Sequence, residues 1–177
     1  MLAENVRDVA VNAVVLGFFA SAWFGWAQEA PPRRWRPFLV AGSVAAVLTL
    51  AAGALLAWQH WADGTVFDED TSRTFGIVVG IEFGVAALGA VLLAVLRRRD
   101  WTAAWIAFVV GVHLFPVAAI IELPADHVAG ALITLVALAA VPVARSRGIT
   151  PSAVVGAGTG LVLLVTAIIS AVVAALR

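Results

Sequence analysis

The chain has no cysteine, no tyrosine and no lysine. Lacking cysteine, it can form no disulfide, no thiolate metal site and no thiol nucleophile. Every cation is therefore an arginine, and no side-chain Schiff base can form, which excludes retinal-type pigment chemistry. Charge is scarce as well. Only 12% of the residues are Asp, Glu, Lys or Arg, about half the share in a soluble domain. The formal net charge is +0, which argues against a nucleic-acid partner. The sequence also has no GxSxG, no Walker A, no Rossmann fingerprint, no HExxH and no paired-carboxylate motif, so no enzymatic activity is expected.

What remains is apolar. The 177 residues are 63% hydrophobic, and their mean hydropathy is +1.03. Long apolar runs recur to Arg177, which predicts an all-α integral membrane protein. The spans are expected at about 9–27, 37–61, 74–96, 101–122, 124–144 and 151–176, within a single transmembrane domain covering 1–177. Pro37 suits the first turn of the second span, and Thr150-Pro151 reads as cap and first residue of the sixth. Asp70, Thr71 or Ser72 is expected to cap the third span, and Asp100 the fourth. The amino-terminal MLAENVRDVA lacks the basic region of a cleaved signal peptide, so the first span is read as retained.

Alternate loops carry Arg33, Arg34 and Arg36, then Arg97, Arg98 and Arg99, then Arg145 and Arg147. The opposite side has Arg7, Arg73 and Arg177, a bias of eight against three. The positive-inside rule then places both termini outside the cytoplasm. Heavy use of Ala, Val, Leu and Arg without Lys fits a GC-rich bacterium, and hence the cytoplasmic (inner) membrane.

The stretch from Arg73 to Arg99 is expected to lie at or near the centre of the bundle. Gly76, Gly80 and Gly84 form a small-residue strip that permits close approach of another helix. Gly17, Ser21 and Gly25 of the first span form a second strip and are its expected partner. Glu82 points about 160–200° away from the glycine strip. It is the one ionisable residue between Thr74 and Leu96. Glu82 and His113 each lie nine residues from the outer end of their spans. At about 1.5 Å per residue, both sit ~13–14 Å deep in a ~30 Å core. An acid and an imidazole at matched depth on consecutive antiparallel helices can touch, and such pairs mark proton and ion paths. Asn12, near the start of the first span, is a further candidate for that pathway. Each of these residues can equally serve packing alone.

The outer rim gathers His60, Glu122, Asp126 and His127 with Asp63, Asp68, Glu69 and Asp70. Such groups can bind a divalent cation, but the spacing matches no metal motif, and a solvated acidic face accounts for them. Two outer histidines can also ligate a haem, though only at the rim. Neither a metal nor a cofactor is expected. The tryptophans read as interfacial belts. Two functions remain open. One is a small transporter or channel, proton-coupled through Glu82 and His113, for an unidentified ion or small molecule. The other is a non-transporting scaffold or accessory subunit. The expected partner is the lipid bilayer, and six short helices are compatible with a homo-oligomer.

Overall fold

The computed structural model describes residues 5–177. Residues 1–4, part of the amino-terminal stretch considered above, lie outside the described residues. The chain is all helical, with α1 Val6–Ala27, α2 Arg36–Gln59, α3 Glu69–Val95, α4 Thr102–Ile120, α5 Pro124–Arg147 and α6 Pro151–Ala175. Short 3-10 turns at Arg33–Trp35 and Arg99–Trp101 lead into α2 and α4. Among the described residues six helices are long and apolar enough to cross a membrane, which supports a multi-pass membrane protein. Proline opens α2, α5 and α6 at one of the first two positions, where the missing N–H has no intrahelical partner to lose. α5 ends at Gly148, whose φ of 62° is the left-handed conformation that glycine adopts without strain.

Two caps differ from expectation. Asp68 rather than Asp70, Thr71 or Ser72 caps α3. Its carboxylate accepts from the Thr71 N–H at 2.7 Å, so α3 begins a turn earlier than its apolar run. Asp100 caps nothing. It lies within the 3-10 turn and instead accepts from Arg145 Nη2 at 3.3 Å, tying the α3–α4 turn to the end of α5.

α6 and α1 form the centre of the bundle. α6 packs along α1 and also meets α2, α4 and α5, while α3 packs chiefly on α4 and the turn before it. The expectation that α3 is central is therefore wrong. None of its residues is buried, whereas Ala153, Val155, Gly156, Thr159, Gly160, Leu163, Ala167 and Ser170 of α6 are. The physical reason lies in the solvent. Lipid is as apolar as leucine, so an apolar helix surface does not demand a protein neighbour, and close packing falls to small residues with a matching partner surface.

The glycines make the same point. A Cβ added at Gly76, Gly80 or Gly84 meets nothing within 4 Å, so this strip faces outward and packs against nothing. Gly17 faces α2 rather than α3, since a Cβ added there would stand 3.1 Å from the Ala46 carbonyl oxygen and the Leu50 nitrogen, while one at Gly25 would meet nothing within 4 Å. Ser21 donates to the Phe18 carbonyl of its own helix. The tight crossings lie elsewhere. A Cβ at Gly111 of α4 would stand 2.7 Å from the Thr134 nitrogen of α5, and one at Gly130 would stand 2.7 Å from the Gly111 oxygen. A Cβ at Gly156 of α6 would stand 2.6 Å from the Trp23 oxygen of α1.

A candidate proton and ion site

Glu82 lies at the midpoint of α3, thirteen residues from either end (69 to 82 and 82 to 95). Its face is the side of α3 that meets α4, opposite the open glycine strip. The Trp105 indole clamps this contact by donating to the carbonyls of Val85 and Ala86, each at 3.3 Å. Trp105 thus fastens α4 to α3. Within this seam Glu82 Oε2 is 3.2 Å from His113 Nε2, with the two side chains 15% and 12% exposed. Pro116 lies inside α4, three residues beyond His113. It cannot donate to the Val112 carbonyl, which leaves that acceptor free beside the imidazole.

Two clefts flank the pair. One, of about 320 Å³, lies between α3 and α4 and is lined by Glu82, His113, Ile81, Trp105, Phe108 and Pro116 among others. The second, of about 370 Å³, lies between α3 and α1 and is lined by Glu82, Phe83, Phe19, Trp23 and Trp26 among others. Glu82 is common to both. Among the described residues, its carboxyl and the His113 imidazole are the only ionisable groups lining these apolar spaces, so chemistry in them falls to this pair: proton exchange, or capture of a hydrogen-bonding or cationic group.

Asn12 does not join Glu82. It lies instead among α1, α5 and α6, where its Nδ2 donates to Asp126 Oδ1 at 3.2 Å and to Ser170 Oγ at 3.3 Å. Asp126 is correspondingly not a rim residue, being 0% exposed. The other rim candidates scatter. His60 Nδ1 pairs with Asp63 at 2.6 Å, Glu122 is exposed in a left-handed turn, and His127 packs edge-on to Phe115. Among the described residues no three His, Asp or Glu side chains gather as a metal group would require.

Sequence reasoning missed several polar residues in the core. Asp8 is buried and accepts from Thr65 Oγ1 at 2.7 Å and from the Val66 N–H at 2.8 Å, fastening the α2–α3 loop to α1. Ser170, Thr166 and Thr159 lie along the buried face of α6. Their signal was present as hydroxyls spaced seven and four residues apart, a helical repeat on an otherwise apolar span. The chain matches no protein-family model, no curated protein and no solved structure.

Proposed function

We propose that this chain is a small transporter or channel of a bacterial inner membrane, with both termini outside and the arginine-rich turns in the cytoplasm. Its coupling site is the Glu82–His113 pair, which takes up and releases a proton. One observation carries the reading: a carboxyl and an imidazole meet at mid-helix on a seam flanked by two clefts. Groups of this kind are costly to keep in a bilayer and mark ion and proton paths. The apolar linings favour a ligand with a hydrophobic body that enters beside α3 and is held at one polar point. The alternative is a scaffold or accessory subunit in which the pair only fastens α3 to α4. It draws support from α3 packing chiefly on one helix and carrying an open glycine strip.

Proton flux into proteoliposomes separates the two. Glu82→Gln is nearly isosteric and still hydrogen-bonds, so the fold should survive, while pH-dependent flux should vanish because an amide carries no titratable proton. His113→Ala should move the pH midpoint of flux without abolishing it. Identical traces for wild type and Glu82→Gln would return the chain to the scaffold reading.

A further inference from the structure

The end of the bundle that holds the start of α1, the start of α5 and the end of α6 contains a second polar centre, separate from Glu82 and His113. Asp126 is 0% exposed, Asn12 7% and Ser170 4%. Asp126 Oδ1 accepts from Asn12, but no described residue donates to Oδ2, which is buried. None of the ion pairs among the described residues engages Asp126. Among the described residues this acid is thus buried with one bare oxygen and no ion-pair partner, although the neighbouring His127 acts on it electrostatically.

Its surroundings nevertheless suit a negative charge. Asp126 stands in the first turn of α5, where the helix dipole favours an anion. The Asn12 amide donates to it as well. A buried charge requires a partner, and a single carboxylate balances a single positive charge. The other groups present are a hydroxyl and an amide, the oxygen donors that hard cations take. Turned by 180°, the Asn12 amide gives up its donation to Asp126 and Ser170 and presents its oxygen instead, an exchange that the charge of a bound cation offsets.

We propose that Asp126, Asn12 and Ser170 form a binding site for a small monovalent cation of the sodium type, built from α5, α1 and α6. The cation bridges Asp126 Oδ2, Ser170 Oγ and the turned Asn12 amide oxygen. It thereby links the three helices at one end of the bundle. Titratable groups on the same helices include Asp8, one turn before Asn12 and already engaged by Thr65 and Val66, and His127, which follows Asp126 and acts on it electrostatically. α6 contributes none.

Equilibrium dialysis of the full chain in detergent against radioactive sodium tests this directly. Wild type should take up one saturable sodium per chain, Asp126→Asn should take up none, and Ser170→Ala should bind at least several-fold more weakly. Sodium chloride, compared with choline chloride, should raise the Tm of wild type by several degrees and leave Asp126→Asn unmoved. Should Asp126→Asn fail to fold, carbodiimide labelling of the Glu82→Gln chain decides instead. The reagent modifies protonated carboxyls, so sodium should protect Asp126 from labelling and choline should not. No saturable uptake of sodium, lithium or potassium by wild type, or labelling of Asp126 indifferent to sodium, would overturn the proposal and leave Asp126 a neutral buried acid.

Discussion

Single side chains decide where this chain is fastened. Asp8 holds two donors of the α2–α3 loop. Asp8→Ala leaves the Val66 N–H without its acceptor, a loss of about 1–3 kcal/mol when the group stays buried. A lower Tm and faster proteolysis between residues 60 and 68 should follow. Asp68 behaves differently because it is exposed. The Thr71 backbone N–H holds its carboxyl below the usual carboxylate range. A group depressed on folding contributes above its unfolded value and is lost as pH falls through the folded one. The first turn of α3 should therefore keep its amide protection at Thr71 down through mildly acid solution and lose it only in strong acid, as hydrogen exchange would show. The Glu82–His113 pair was readable in advance because depth along a straight helix follows from residue counting, and the side chains do lie 3.2 Å apart. Asp126 was not readable. Its place in a first turn suggested a solvated rim, and only the packing of α1 and α6 over it decides otherwise.

Helices meet here where glycines face backbone, and substitution separates such glycines from idle ones. Gly80→Leu should leave the Tm in detergent unchanged, since the added Cβ meets no atom within 4 Å beyond its own stretch of helix. Gly111→Leu should destabilise at or above the upper end of the roughly 1–3 kcal/mol typical of overpacking, because the obstacle is Thr134 backbone. The α4–α5 turn offers the opposite case. Glu122 adopts φ 57°, and a side chain in that conformation costs about 1–2 kcal/mol. Glycine removes this cost but adds ~0.5–1 kcal/mol of chain entropy. Glu122→Gly should therefore be neutral to slightly stabilising in thermal denaturation. The six helices themselves were legible because Pro37, Pro124, Pro151 and the arginine clusters punctuate the apolar runs. Their neighbours were not. Gly76, Gly80 and Gly84 have the same spacing as a packed strip, and spacing alone cannot say whether a partner surface exists.

Across the whole molecule, the missing cysteine becomes an experimental asset. Single cysteines at Arg34, Arg98 and Arg147 should react with impermeant maleimide only after the cytoplasmic face is exposed. Labelling of the Arg98 position in intact cells would sink the proposed topology. The seam between α1 and α6 bears on how the molecule is made. On the proposed membrane reading α1 is inserted early in synthesis, yet Trp23 and Ala27 wait for Gly156, and Asn12 waits for Ser170. More than a hundred residues must leave the ribosome before that flank is covered. Until then a polar amide and a small-residue groove stand open to lipid and to the insertion machinery. Chains stopped before Pro151 should accordingly be cleared by membrane proteases, while an α6 supplied as a separate polypeptide should rescue them.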